Sequence, residues 1–345
     1  MMRVAWFLLR RLAVGLAVLW GAATISFATL HTMPGDPVDT LIGPTFGVTP
    51  QLRAQINETY GFSEPLVAQY GRWLGRLVTG HLGTSYQQQA PVADVLGDQL
   101  WPTVELALAA SAVAALLAVG AALATAGRHG PGGRALRGLA SSLELLAVSS
   151  PTFWVGILLA TVFSTWLGWL PVAGATGPEG LVLPAVTLAL PIAGVLAQVL
   201  REGLDSALEQ PFVVSVRARG VGAATVLFVH ALRHAALPLV TLLGWVVGSL
   251  LSGTVITEAV FARPGLGRVT LEAITARDVP VVTAVVLLSA VVFVVVNSLV
   301  DLAYLVLDPR LRDDRRAPDT PGPPGAPARS GRSMVSGATQ KGSSA

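Results

Sequence analysis

Two histidines, His230 and His234, stand four residues apart, a spacing that puts both imidazoles on one face of a helix and suits a metal pair. A zinc hydrolase built on that frame carries a glutamate directly after the first histidine. Ala231 occupies that place here, so a packed amphipathic face is the simpler reading and no metal is assigned. Ser249 and Ser252 lie in an apolar run, where a serine nucleophile would imply intramembrane hydrolysis. Gly244, Gly248 and Gly253 share that run, and small residues of this kind read as helix-contact surface. The chain has no cysteine, which excludes thiol catalysis, cysteine-zinc sites and disulfides. A phosphate-binding loop needs G-x-x-x-x-G-K-[ST]. Lys341 is the sole lysine and follows Gln340 in a polar tail, so the chain carries no such ATPase of its own. No catalytic residue and no cofactor is assigned.

The elements that hold these residues are set by composition. Of 345 residues, 52% are hydrophobic and 12% charged, with a mean hydropathy of +0.64. A soluble domain is roughly a quarter charged, so a soluble enzyme, a coiled coil and a disordered chain are all excluded. An apolar excess of this size needs an apolar solvent, and the lipid bilayer is the first partner. The net charge of +3 is too small for a nucleic-acid reader. Six apolar runs are long enough to span: 12–30, 102–126, 139–167, 181–200, 235–257 and 279–300. Helices are expected, because an open sheet leaves its backbone unsatisfied in lipid. Arg3, Arg10 and Arg11 before the first run resemble a signal peptide. The run is long for that role and no small-residue cleavage site follows, so a retained helix is expected.

Arginine placement orients the spans. Arg3, Arg10 and Arg11, then Arg128, Arg134 and Arg137, then Arg201, Arg217, Arg219 and Arg233, then Arg310, Arg312, Arg315 and Arg316 fall on one side. Both termini are therefore expected in the cytoplasm of a multi-pass cell-membrane protein. The 32–101 segment becomes an outer loop domain, with helices expected over 49–60 and 65–78. The tail is rich in Pro, Gly and Ser and is expected to be disordered. The expected organisation is 1–31 for the N-terminal end and first helix and 32–101 for the outer loop. A five-helix domain then covers 102–308, including the 201–234 cytoplasmic loop, and a tail covers 309–345. No internal repeat is evident.

The most informative stretch is the 201–234 loop. Pro211 opens a helix carrying Arg217, Ala218 and Arg219; Gly220 and Val221 mark a bend; a second amphipathic helix carries His230 and Arg233 and meets Pro238 at the next span. A compact helix pair on the cytoplasmic face is a handle for another protein, or an interfacial loop that merely snorkels its arginines. Arg217-Ala218-Arg219-Gly220, His230-Ala231-Leu232-Arg233 and Leu237-Pro238 resemble the EAA loop of ABC importer permeases. More narrowly they resemble the first permease subunit of dipeptide, oligopeptide and nickel importers. Met33-Pro34-Gly35-Asp36-Pro37, Gln69-Tyr70-Gly71-Arg72-Trp73-Leu74 and Gly80-His81-Leu82-Gly83-Thr84-Ser85 follow the same pattern, as do Ser150-Pro151-Thr152-Phe153-Trp154 and Gly168-Trp169-Leu170-Pro171. So do Glu258, Pro264-Gly265-Leu266-Gly267, Ala276-Arg277-Asp278 and Asp308-Pro309-Arg310. The order and spacing carry the resemblance, which covers nearly the whole chain to Arg312. Val214, Val216 and His81 depart from it, and the tail beyond Arg316 has no counterpart.

The resemblance implies an all-α polytopic protein with six transmembrane helices in a type I importer permease fold. It implies a second permease as partner, two ATP-binding cassette subunits below and an extracytoplasmic substrate-binding protein above. Arg217, Ala218, Arg219, Gly220 and Val221 would sit in the coupling segment, and His230, Arg233 and Pro238 would brace it against the fifth span. The import of peptides or a related small solute would then be driven by ATP hydrolysis on the partners, with no enzyme activity here. Candidate pathway or gate residues are Ser150, Pro151, Glu258, Pro264, Gly265 and Gly267. Glu258 is an ionisable group near lipid depth, a gate or a partner of Arg263 or Arg268. Glu105, Glu144 and Asp301 are read as structural caps or pairs, and Asn297 as a bond between helices. The alternative class is an ion-coupled carrier or channel, which places charges at the midplane. The charge-free interiors of four spans argue against it.

Overall fold

The computed structural model describes residues 2–32, 49–51, 54, 64–128, 130–171, 174, 177–235 and 237–307. The chain divides into a unit of Met1–Ala303, which holds the bundle, and a unit of Tyr304–Ala345, of which residues 304–307 are described. Among the described residues the structure is helical, with one isolated antiparallel bridge between Thr84 and Pro91. The elements are α1 (Met2–Thr32), α2 (Leu66–Val78), α3 (Val92–Thr125), α4 (Pro131–Ser149), α5 (Thr152–Leu159) and α6 (Glu179–Leu208). Then come α7 (Pro211–Ala218), a composite α8 over 223–235, α9 (Leu237–Val260), α10 (Leu266–Thr275) and α11 (Val279–Leu307).

Four stretches are long and apolar enough to cross a bilayer: Leu9–Thr29, Val92–Thr125, Glu179–Leu208 and Val279–Leu302. The third expected span is not one rod. Its halves, α4 and α5, meet at a 108° bend, and α5 runs on as a π-helix over Ala160–Trp166. Pro151 is the cause: it has no N–H for the ladder, and it drives Ser150 to an extended ψ of 133°. Counted as one span, the pair makes five; within α9, Gly244–Val260 is a shorter apolar stretch. The helix expected over 65–78 is α2, while most of the one expected over 49–60 lies outside the described residues.

The bundle is built around α6. Ala110, Ala114, Ala118 and Ala122 of α3 recur every fourth residue and are buried. Ala185, Ala189, Ala193 and Ala197 do the same on α6. Two stripes of methyl groups let the backbones approach closely, which is how helices associate where lipid is as apolar as leucine. Leu106, Leu188 and Ile192 complete that core with Val246 and Leu250 of α9. On its other side α6 meets α4 at Gly194. A Cβ there would lie 2.8 Å from Val148 Cγ2 and 2.9 Å from the Glu144 carbonyl oxygen. The first helix is peripheral: Leu9, Leu12, Leu16, Trp20 and Ile25 are exposed, as suits a lipid-facing helix. It is tied to α11 by an ion pair between Arg11 and Asp301 at 2.7 Å and to α2 by Thr24 and Tyr70 at 2.8 Å.

Gly194→Val is expected to hold α4 off α6 and to destabilise the purified protein by about 1–3 kcal/mol, the usual cost of overpacking. A thermal melt in detergent checks this, and an unchanged midpoint would contradict the crossing described.

Candidate functional site

The residues singled out in the sequence gather in three places. The first is the segment 209–238, between α6 and α9. α6 outlasts its expected end at Leu200 by two turns, so the connection begins at Glu209. Pro211 at the first helical position starts α7, and Gly220 closes it with a φ of +81°, its N–H donating to the Arg217 carbonyl at 2.9 Å. Val213 is the buried anchor of α7. Arg217, Ala218, Arg219 and Gly220 are exposed, Val221 half-buried, and Val214 is 71% exposed. Neither Arg217 nor Arg219 forms an ion pair among the described residues, so this surface keeps its donors free.

The return helix α8 starts at Ala223–Thr225, widens to a π-helix over Val226–Ala231 and ends at Leu232–Ala235. Its buried residues are Val226, Ala231 and Ala235. Ala231 and Ala235 pack with Leu200, Leu204 and Ala207 of α6 and with Ala122 and Ala126 near the end of α3. A Cβ at Gly203 would stand 3.1 Å from the Ala235 Cα, so α8 rests almost backbone to backbone on α6. The brace expected from His230, Arg233 and Pro238 is thus made mainly by their small neighbours. His230 is half-buried, Arg233 and Pro238 are exposed, and His234 instead stacks on Phe212, ring centres 5.1 Å apart, joining α7 to α8. Among the described residues no group of three or more potential metal ligands forms.

The second place is a cavity of about 800 Å³ between α5, α6, α9 and α11. Thr152, Pro191, Gly248, Ser249, Ser252 and Asn297 line it with apolar neighbours, and no charged side chain does. Sequence reading took the serines and glycines of α9 for a helix-contact surface. Part of that holds, since a Cβ on Gly253 would lie 2.7 Å from Leu188. The rest opens onto the cavity. Asn297 was expected to bond across helices, but its Nδ2 donates to the Phe293 carbonyl of its own helix at 2.8 Å. Ser150 and Pro151 form the bend directly before Thr152; the Ser150 hydroxyl donates to the Leu146 carbonyl at 2.7 Å.

The third place is an outer clasp. Glu258 is fully buried. Its carboxylate accepts from the Thr103 hydroxyl at 2.7 Å and from the backbone N–H groups of Gly267 at 2.8 Å and Arg268 at 3.2 Å. Gly265 and Gly267 are glycine because a Cβ on Gly265 would overlap that carboxylate and one on Gly267 would overlap the Val255 backbone. Pro264 is exposed beside them. Neither arginine offered as a partner for Glu258 takes that part: Arg263 pairs with Glu105 at 2.5 Å and Arg268 with Glu272 at 2.8 Å. A parallel clasp joins two further motifs, the Ser85 hydroxyl donating to buried Asp278 at 2.5 Å. Together these pin the 81–91 loop and α10 over the start of α3, the end of α9 and the start of α11.

A helical bundle with several apolar helices of spanning length, an uncharged cavity and an exposed helix pair is the architecture of a multi-pass membrane protein. Residues 114–313 match the family described as binding-protein-dependent transport system inner membrane component, and residues 1–107 match the N-terminal region described for such membrane components. The chain belongs to that family. A dipeptide transport system permease protein of Alkalihalophilus pseudofirmus is 31% identical over 334 residues, covering 89% of this chain and 99% of the relative. A putative peptide transport system permease protein of Brucella abortus is 36% identical over 315 residues, with 89% and 99% covered. A glutathione transport system permease protein of Salmonella paratyphi A is 33% identical over 308 residues, with 89% and 98% covered. A chain of the inward-facing MetNI methionine ABC transporter aligns with a TM-score of 0.48 at 16% identity, over 62% of this chain and 96% of that one. Family membership sets the chain among ABC importer permeases, in preference to ion-coupled carriers and channels.

Glu258→Ala is expected to leave the buried Thr103 hydroxyl and Gly267 N–H, and the half-buried Arg268 N–H, without their acceptor. At about 1–3 kcal/mol for each orphaned buried group, this lowers the melting temperature clearly. Glu258→Gln keeps one acceptor oxygen and should fall between. Equal melting of all three proteins would contradict the clasp.

Proposed function

We propose that this chain is one of two permease subunits of an ATP-driven importer of peptides or a related small solute. The reading draws on the functions for which the relatives are named, which are dipeptide, peptide and glutathione transport. The second permease, two ATP-binding cassette subunits and an extracytoplasmic binding protein complete the machine, with both termini in the cytoplasm. ATP is hydrolysed on the cassette subunits. The proposed organisation keeps 1–31, 32–101, 102–308 and 309–345 as its segments.

The observation that carries the reading is the cytoplasmic segment. Arg217, Ala218, Arg219, Gly220 and Val221 present a small, cationic surface, and the helix behind it is seated on α6 through Gly203 and Ala235. Arginine forks suit carboxylate or carbonyl acceptors on a partner. The same α6 carries Leu188, Pro191 and Ile192 into the cavity. A push on the segment therefore reaches the cavity wall through one helix. The uncharged cavity suits solutes whose side chains vary in charge, and Ser249, Ser252 and Asn297 offer hydrogen bonds there. Ser150 and Pro151 act as a bend beside that path, and Glu258, Pro264, Gly265 and Gly267 as its outer frame.

Gly220→Pro replaces a residue at φ +81° with one held near −65° and removes the N–H bonded to Arg217. The variant is expected to insert normally and to lose ATP-dependent uptake of labelled dipeptides in proteoliposomes. Wild-type uptake would contradict the coupling role. Affinity purification of the tagged chain, expressed with its neighbouring genes, is expected to recover a second permease and P-loop proteins with ATPase activity. A homo-oligomer without ATPase would overturn the importer reading.

A further inference from the structure

The sequence places Arg201 in a cytoplasmic loop and reads Glu144 as a structural cap or pair, without naming its partner. The structure buries both, at 5% and 7% exposure, and pairs them. Arg201 lies on α6 and uses its whole guanidinium. One η-nitrogen donates to Glu144 Oε1 on α4, the other to the Ser141 hydroxyl of α4 at 3.0 Å, and Nε to the Thr125 hydroxyl at the end of α3 at 2.7 Å. One turn further along, Asp205 of α6 takes an ion pair from Arg137 of α4 and the Gly127 N–H at 3.0 Å. Five polar groups from α4 and the α3 end thus converge on two residues of α6. The turns of α6 that carry them, Leu200 to Ala207, also seat Ala231 and Ala235 of α8.

A docking element can transmit motion only if what lies behind it does not yield. Packed elements switch as units between discrete arrangements. By this test α4 is tied to α6 by one buried ion pair and one half-buried one, the α3 end by Thr125 and the Gly127 N–H, and α8 by small-residue packing alone. α6 meets α9 through Leu188, which lies against Gly253, and through the core shared with Val246 and Leu250; beside that contact the cavity opens, and no buried ion pair ties the two helices among the described residues.

Resting on the coupling role proposed above, we propose that the Arg201–Glu144 pair and its neighbours lock α3, α4, α6 and α8 into one rigid body that carries the movement of the cytoplasmic segment to the cavity wall. Arg201 and Glu144 are positioning residues in this body. Lysine cannot take the place of Arg201, because an ammonium is a compact point charge without a fork that reaches three fixed acceptors on two elements.

The absence of cysteine lets paired spin labels be placed without background. Leu139→Cys on α4, Val229→Cys on α8 and Leu299→Cys on α11 are exposed positions, at 60%, 58% and 58%, that leave the network intact. Distances are measured in the co-purified complex, nucleotide-free and after trapping with ATP and vanadate. The 139–229 distance is expected to stay fixed while the 229–299 distance shifts. In an Arg201→Lys background the 139–229 distance is expected to broaden and to shift on trapping. Equal shifts of both pairs without the lysine substitution, or a 139–229 distance indifferent to Arg201→Lys, would overturn the rigid body and leave the importer reading standing. A complex in which neither pair responds to the nucleotide would overturn the coupling role itself, and this inference with it.

Discussion

A charge inside an apolar bundle has to be matched where it stands, and Arg201 is matched about three-quarters of the way along α6 by Glu144, Ser141 and Thr125. Such pairs add little net stability over a well-packed apolar core, because desolvation offsets much of the attraction. Their effect is on arrangement: a slip of α4 against α6 by one residue would strand both charges. The alanine stripes of α3 and α6 are permissive by comparison, since one methyl face slides over another at small cost. The ion pair supplies the register that the stripes lack. Gly194 and Gly203 then let α4 and α8 close onto α6 on either side of it.

The outer end of the bundle solves the same problem differently. There the buried charge is Glu258, and its donors are a hydroxyl and two backbone N–H groups, with no cation. A carboxylate held by backbone fixes a loop, and it holds the 264–268 turn over α3 and α9. The two ends therefore have different mechanical characters. The end at Arg201 is a braced joint, and the end at Glu258 is a closed frame. Between them lies the uncharged cavity, bordered by α9, whose Gly and Ser residues fill space poorly.

Much of this was legible in the sequence because lipid imposes a simple rule. Apolar runs of sufficient length become helices, and Leu9–Thr29, Val92–Thr125, Glu179–Leu208 and Val279–Leu302 follow it. Pro211 and Gly220 marked the start and the end of α7 through chemistry that acts locally. What escaped was pairing at a distance. Glu144 and Arg201 are 57 positions apart, and nothing in either neighbourhood names the other. Glu258 was noticed as a charge in an apolar setting, yet its partners were sought among arginines. The donors it uses are backbone groups, which every residue has and no sequence pattern displays. The 139–167 run reads as one apolar span, and its 108° bend at Pro151 depends on how α4 and α5 each pack on α6. The cavity face of α9 could not be told from a contact face, because small residues serve both.

The central claim is that movement enters at the cytoplasmic segment and reaches the cavity through α6. Structures of the purified complex in lipid, without nucleotide and trapped with ATP and vanadate, test it most directly. The account expects residues 211–221 seated on a nucleotide-binding subunit in both states, α6 displaced together with α8, and the walls of the cavity between α6 and α9 rearranged. A complex in which that subunit docks elsewhere, or in which α8 moves while α6 and the cavity stay as they were, would contradict it.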